Sequence, residues 1–390
     1  MNMKKIFVSL IFCLMFGGVA SANIIYTTAS GDMGLIKISS VTSVDVSKDI
    51  YKGNAGSVTA PYWENNTSAG KGNSKIILIT PKESSDTTVS GDTGLIFSEA
   101  NLSAPTTDED DPIVFTGTYG TPIITSTNGG ASFYLASGAS IREYLTSNFA
   151  LRNSYTHASN DISPNPEIKG IVTNDTRVYA LVSRNNTVSN DLMLALDGML
   201  TLNTEYASTW ELENVYDANA VTWLSNSRIA VGARDGVYTV GSTSSTSIVS
   251  SDNPVVALCS DTSNGCYYIT QSDDNGTKKN SLWHYTNSDT DPTQLLANIE
   301  GNSAQLVRDN TYNVLTAIIG EQITMFNLEN NDAVIQTYTA TELGGTLTGG
   351  VPISAATTST TGNSASSGSS GCEIGGFGVT LLAVLFAGFK

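Results

Sequence analysis

Charge is scarce in this chain. Only 14% of its 390 residues are Asp, Glu, Lys or Arg, against roughly 25% in an ordinary globular protein. Basic residues are the scarcer kind, 19 against 36 acidic, which leaves a net charge of −17. With no Lys/Arg cluster to neutralise phosphates, nucleic acid is excluded as a partner. Histidine occurs only at His157 and His284, and no His-Glu-x-x-His or Cys-x-x-Cys pattern is present for a metal site. Gly-x-Ser-x-Gly, the strained turn that presents a nucleophilic serine, is also missing. No catalytic residue is therefore assigned. Paired carboxylates for glycoside chemistry stay open, because two distant segments would supply them and leave no local signature.

Cysteine is nearly as rare, with four residues. Cys13 lies in the N-terminal stretch MNMKKIFVSLIFCLMFGGVASA. Lys4 and Lys5 form a basic start, Ile6–Phe16 an apolar core and Ala20-Ser21-Ala22 a small-residue site. That layout predicts a secretory signal helix over residues 1–22, cleaved after Ala22. Cys259 and Cys266 flank a turn between two strand-like runs. Facing residues of an antiparallel pair lie about 5 Å apart, within disulfide reach. Export favours a bond between them, and two small buried residues are the alternative. Cys372 is left over, far down the chain.

What the chain has in quantity is short β-branched or aromatic runs closed by turn residues. In Asn219–Val240 three such runs, Ala220–Leu224, Arg228–Ala233 and Val237–Val240, are separated by Ser225–Ser227 and Arg234-Asp235-Gly236. Each is too short for a helix. Asp-Gly suits a tight hairpin in which both central residues take positive φ. Ser30-Gly31-Asp32-Met33-Gly34-Leu35-Ile36 is echoed by Ser90-Gly91-Asp92-Thr93-Gly94-Leu95-Ile96, each following an apolar run. Five more strand pairs begin at Pro122, Arg177, Arg228, Cys266 and Asn313, giving seven units mostly about fifty residues apart. Several carry a further run on each side. Four antiparallel strands per repeat at this period predict an all-β fold, a seven-bladed β-propeller over residues 23–354. A row of small sandwiches is the competing architecture, but no linker breaks the series. The first unit has no room for an inner strand, so Gly349–Ile353 is expected to supply it, despite Pro352.

Beyond the repeats the composition changes. Residues 355–371 are almost wholly Ser, Thr, Ala and Gly and read as a flexible tether. Residues 372–390 follow as Cys372, Glu373, the uncharged run Ile374–Phe389, expected to form a short apolar helix, and Lys390. Sixteen uncharged residues fall just under the usual 17–25 of a spanning helix. A Ser/Gly-rich stretch, a Gly-Cys pair, a short apolar run and a basic end together resemble a bacterial C-terminal sorting signal of the Synergist-CTERM type, and more loosely the MYXO-CTERM type. The resemblance covers about residues 366–390. It implies recognition by membrane sorting machinery and attachment at the cell surface, with Cys372 as the processed or lipid-modified position. A single Lys390 and Glu373 directly after the cysteine depart from the usual layout.

Three smaller features bear on function. Ser126–Phe133 resembles the Asp-box of sialidase-type propellers, with Asn128 in place of the Asp and Phe133 in place of the Trp. In that family the box is a structural staple and implies no activity. Asp108–Asp111 and Asp273–Gly276 raise the question of calcium, which needs six to eight converging oxygens; adjacent acids usually point apart, so no metal and no cofactor are expected. Trp63, Trp210, Trp223 and Trp283 suit either a glycan or protein surface or the wedge between blades. His284 lies in a strand beside Trp283 and Tyr285 and reads as packed or rim-facing, and His157 as part of a solvated loop.

The expected protein is thus an exported, envelope-attached propeller, held to the membrane by its C-terminal segment. It would act as a non-catalytic binder of an extracellular protein or glycan, or as an envelope-structural component. The alternative is a surface-anchored carbohydrate-active enzyme, a glycosidase or lyase, with its site at the channel mouth. A self-assembling surface-layer component is the third reading.

Overall fold

Apolar runs that do not alternate with polar residues need cover on both faces, and the fold supplies it by standing each small sheet between two others. The computed structural model describes residues 22–53, 61–64, 75–80, 90–98, 101–107, 112–118, 123–126, 132–158, 166–174, 177–184, 189–200, 208–224, 228–287, 291–309 and 312–354. Its strands form seven four-stranded antiparallel sheets, the blades of a β-propeller.

Blade 1 holds β1 (Ala22–Thr28), β2 (Met33–Ser40) and β3 (Ser43–Tyr51). Blade 2 holds β4 (Pro61–Glu64), β5 (Lys75–Thr80), β6 (Gly91–Ser98) and β7 (Ile113–Thr116). Blade 3 is β8 (Ile123–Ser126), β9 (Ser132–Ser137), β10 (Ser140–Leu145) and β11 (Leu151–Thr156). Blade 4 is β12 (Glu167–Thr173), β13 (Arg177–Ser183), β14 (Leu192–Asp197) and β15 (Ser208–Glu211). Blade 5 follows as β16 (Ala220–Trp223), β17 (Ile229–Ala233), β18 (Gly236–Val240) and β19 (Ser245–Ser250). Blade 6 contains β20 (Val255–Ser260), β21 (Cys266–Asp274), β22 (Thr277–Tyr285) and β23 (Thr293–Glu300). Blade 7 contains β24 (Ala304–Asp309), β25 (Val314–Ile319), β26 (Gln322–Asn327) and β27 (Ala333–Thr339). A one-turn helix, α1 (Ala340–Leu343), then leads to β28 (Leu347–Ser354).

β28 closes the ring. It pairs with β1 in antiparallel register, from Ala22 opposite Ser354 to Ile25 opposite Val351, and becomes the innermost strand of blade 1. Pro352 faces Ile24 in this pairing. Because β28 is the edge strand of its sheet, a residue without an N–H is tolerated there. The helix before it is set by a capping box: the Thr339 hydroxyl accepts from Glu342 N at 3.3 Å, and Glu342 Oε2 accepts from Thr339 N at 2.8 Å. Tyr26 Oη donates to the Leu343 carbonyl at 3.2 Å, tying the first strand to this last connection.

The core is divided in the same way as the sheets. Among the described residues, buried apolar side chains fall into seven clusters, each between two successive blades. Successive residues alternate between seams, since side chains along a strand alternate faces. Ile76 and Leu78 pack towards blade 1, while Ile77 and Ile79 pack towards blade 3. Trp210 and Trp223 lie against the cluster between blades 4 and 5, and Trp283 against that between blades 5 and 6. These three tryptophans fill the wedge.

The turn in blade 5 differs in detail from the expected one. Ala233 pairs with Gly236, so Arg234 and Asp235 are the loop residues, and of the Asp-Gly pair only Gly236 has positive φ, at 150°. The two-residue turn with both residues positive occurs instead at Asn275 (φ 55°) and Gly276 (φ 87°) in blade 6. Among the described residues no helix is long and apolar enough to cross a membrane.

Candidate functional site

Among the described residues, a cluster of titratable side chains sits in the seam between blades 6 and 7. His284, near the end of β22, reaches Asp332 Oδ2 through Nδ1 at 2.6 Å and Asp261 Oδ2 through Nε2 at 3.3 Å. Asp261 follows β20 directly, and Asp332 lies in the turn between β26 and β27 at φ 56°. The imidazole stacks on Tyr267 with ring centroids 4.0 Å apart and an interplanar angle of 21°. Tyr267 Oη donates to the second oxygen of Asp332 at 2.8 Å. Buried Arg308 donates to the Ser260 carbonyl at 3.3 Å and brings positive charge to the same seam.

Local sequence explains how Asp261 is held. In Asp261–Gly265 the carboxylate accepts from Ser263 N at 2.7 Å, Ser263 Oγ at 2.6 Å and Gly265 N at 2.6 Å, an Asx-type turn closing the β20–β21 hairpin. Burial alone would raise the Asp261 pKa, but the His284, Ser263 and Gly265 hydrogen bonds bring it below the ordinary value. Burial likewise depresses His284, yet the bonds to Asp261 and Asp332 overcome it and hold the imidazole at about 9. At neutral pH the imidazole is therefore a cation set between two carboxyl groups. Both ring nitrogens donate, so neither is left to take a proton from a substrate. The arrangement is suited to clamping two blades.

Two other buried acids are held similarly. Glu143 in blade 3 accepts from Ser132 Oγ at 2.6 Å and Arg152 Nη1 at 3.1 Å, and also from Asn153 Nδ2. Asp191, just before β14, accepts from Arg184 N at 2.7 Å and Ala218 N at 2.7 Å. The second of these bonds reaches the β15–β16 connection, which leads into blade 5. Desolvation raises Asp191 to about 6 in spite of those bonds.

The expected disulfide is corrected here. Cys266 is a free, buried thiol. The register pairs Cys259 with Tyr267 and Ser260 with Cys266. The two cysteines therefore point to opposite faces of blade 6, Cys259 towards blade 7 and Cys266 towards blade 5. Burial pushes the Cys266 thiol pKa up.

The remaining sequence candidates are dispersed. His157 is half-buried rather than part of a solvated loop; its Nδ1 lies 3.4 Å from Tyr155 Oη, and burial lowers its pKa. Asp273 and Asp274 turn to Lys278 at 2.8 Å and Lys279 at 2.6 Å. Phe133 is fully buried, stacked on Tyr144 with centroids 5.6 Å apart. Ala22 opens β1. Asn128, the Asp108–Asp111 run, Cys372 and the whole sorting segment lie outside the described residues. Among the described residues no group of three or more His, Cys, Asp and Glu side chains is placed to hold a metal ion. Sequence reasoning missed Asp261, Asp332, Asp191 and Glu143 as members of clusters. Only Asp261 carried a local sign, the Asp-x-Ser-x-Gly spacing of a capped turn.

No protein-family model matches the chain, and no curated protein does. Similarity appears among solved structures. A protein from Lactobacillus plantarum matches with a TM-score of 0.56 at 10% identity, over 85% of this chain and 99% of its own. A functionally unknown protein from Desulfotomaculum acetoxidans matches with a TM-score of 0.51 at 9% identity, over 84% and 98%. A chain of the mitotic checkpoint complex matches with a TM-score of 0.51 at 10% identity, over 75% and 80%. Identities this low carry the fold alone.

Proposed function

We propose that this is an exported propeller, tethered to the cell envelope by its C-terminal segment, which serves as a non-catalytic binding or envelope-structural protein. The observation that supports it most is the geometry of His284. An imidazole that gives both nitrogens to Asp261 and Asp332 is used to join blades rather than to move protons. Glu143 and Asp191 are enclosed in the same manner by hydroxyl, amide and guanidinium donors. The address comes from sequence: the basic-apolar-small leader ending at Ala22, the Ser/Thr/Gly stretch and the Cys372-led apolar tail.

Two measurements on the native protein test this reading. Mass spectrometry of the envelope fraction should find an N-terminus at Asn23 and a C-terminus processed or modified at Cys372. An intact chain ending at Lys390 with an unmodified Cys372 refutes the sorting signal. Purified protein presented with a panel of surface glycans and envelope proteins should bind without releasing product. Turnover of any glycan, abolished by a carboxylate substitution, refutes the non-catalytic reading.

A further inference from the structure

Asparagine followed by glycine is a chemically labile pair, because glycine leaves the next backbone nitrogen unhindered and the peptide free to turn towards the side chain. Three such pairs occur in the sequence, Asn128-Gly129, Asn264-Gly265 and Asn275-Gly276. The first lies outside the described residues. The other two belong to blade 6, in the turns at opposite ends of β21. Both asparagines take the left-handed conformation, with φ 68° at Asn264 and 55° at Asn275. Dipeptide and backbone are alike, and the surroundings differ. Gly265 is buried and enclosed. Its N–H donates to Asp261 Oδ1 at 2.6 Å, and its carbonyl accepts from Asp261 N at 3.1 Å. A Cβ placed on it would collide with the Tyr285 carbonyl oxygen and with Asp261 Oδ2. Asp261 is itself buried and bound to His284. To bring the Gly265 nitrogen onto the Asn264 side chain, this peptide must leave the seam and take a donor from a buried carboxylate, which is costly. Gly276 is exposed, and a Cβ placed on it would meet nothing within 4 Å. Its N–H donates to Asp273 Oδ1 at 2.8 Å, and Asn275 Nδ2 donates to Asp274 Oδ1 at 3.0 Å, both bonds being exposed. Such bonds at the tip of a hairpin open at little cost.

From this contrast we infer that Asn275 is a site of spontaneous covalent modification, losing its amide through a succinimide, and that the turn holding Gly265 shields Asn264 from the same reaction. The Gly276 nitrogen attacks Asn275 Cγ and forms the C–N bond of the ring. The bond from Cγ to Nδ2 breaks, and ammonia leaves with the proton given up by the Gly276 nitrogen. Water then adds to either ring carbonyl. Its hydroxyl completes a carboxyl group, the C–N bond at that carbon breaks, and its proton returns to the nitrogen. The product is aspartate or isoaspartate, and water is the sole co-reactant. Aspartate adds a negative charge beside Asp273 and Asp274, which already pair with Lys278 and Lys279. Isoaspartate also lengthens the backbone of a turn in which only Asn275 and Gly276 separate the paired Asp274 and Thr277.

The test is incubation of the full-length protein in mildly alkaline buffer, folded and in urea, with peptide mapping at successive times to score aspartate and isoaspartate at each site. Each rate in the folded protein is divided by the rate of the same site in urea, which removes the effect of flanking residues. The ratio should be roughly tenfold or more higher at Asn275 than at Asn264, since one turn opens locally and the other only with its seam. Equal ratios, or a higher one at Asn264, overturn the inference. So does an Asn275 that stays intact in the folded protein after its counterpart in urea has converted. In Asp261→Ala the ratio at Asn264 should rise towards that at Asn275, and an unchanged ratio overturns the shielding by Asp261. The wild-type comparison stands whether or not that variant folds.

Discussion

His284 Nδ1 stands 2.6 Å from Asp332 Oδ2, a contact across 48 residues that joins the third strand of blade 6 to the last turn of blade 7. Replacing His284 by Ala leaves Asp261 and Asp332 facing each other in a buried seam. Removing one partner of such a cluster costs about 3–5 kcal/mol. Denaturant unfolding of His284→Ala should show a loss of that order, and His284→Gln a smaller one, since the amide retains hydrogen bonds. Wild-type stability in both variants would show that the clamp contributes nothing.

The same imidazole sets an alkaline limit. Its folded pKa, about 9, lies above the ordinary value of 6.5. The folded state therefore holds a proton that the unfolded state releases, and the stabilisation is complete below pH 6.5 and lost as pH rises through 9. Melting temperature should fall across that interval in the wild type and be flatter in His284→Gln.

Asp191 predicts a second slope at lower pH. Its folded pKa is raised to about 6 from 3.8, mainly by desolvation. The native state binds the extra proton, so stability is greatest below pH 3.8 from this group and declines as pH rises to 6. The two-unit difference corresponds to on the order of 2–3 kcal/mol. Asp191→Asn should remove that segment of the pH profile. An unchanged slope between pH 4 and 6 would refute the assignment.

Two glycines in equivalent turns should respond differently to alanine. At Gly236 a Cβ would lie 2.0 Å from the Val249 carbonyl oxygen, with φ at 150°. At Gly276 nothing lies within 4 Å, and only the φ of 87° opposes a side chain. Gly276→Ala should cost about 1 kcal/mol, and Gly236→Ala two or more because backbone must move. Thermal denaturation of the two variants side by side provides the comparison.

Cys266 should be protected from a thiol reagent in the native protein and labelled once it is unfolded, because its thiol is buried with a raised pKa. Peptide mapping gives the readout. A Cys259–Cys266 cross-linked peptide would contradict the register of β20 and β21.

Blade number and the closing strand were legible because turn residues punctuate apolar runs at regular intervals. The pair expected to begin at Arg177 does begin there, with β13, and the run Val237–Val240 lies within β18. Facing was not legible. Whether Cys259 and Cys266 share a side of the sheet depends on the parity of the loop between them, and Cys259 opposite Tyr267 puts them on different seams. The His284 cluster was hidden for another reason. Asp261, His284 and Asp332 come from three hairpins, and only the wedge between blades brings them together. The Asn275-Gly276 turn followed its dipeptide rule, whereas Asp235-Gly236 did not, since its loop begins one residue earlier.

β28 is also the last strand of the ring to be made. Until residue 354 is available, β1 has one unpaired edge and blades 7 and 1 lack the Leu347 contacts that join them. An emerging chain can stack its blades in order as local hairpins form, but it cannot become a closed ring before its final strand arrives. A chain cut short ahead of Leu347 leaves the inner edge of β1 unpaired and the seam between blades 7 and 1 without Leu347. Closure of the ring thus waits on the strand made last among the twenty-eight described.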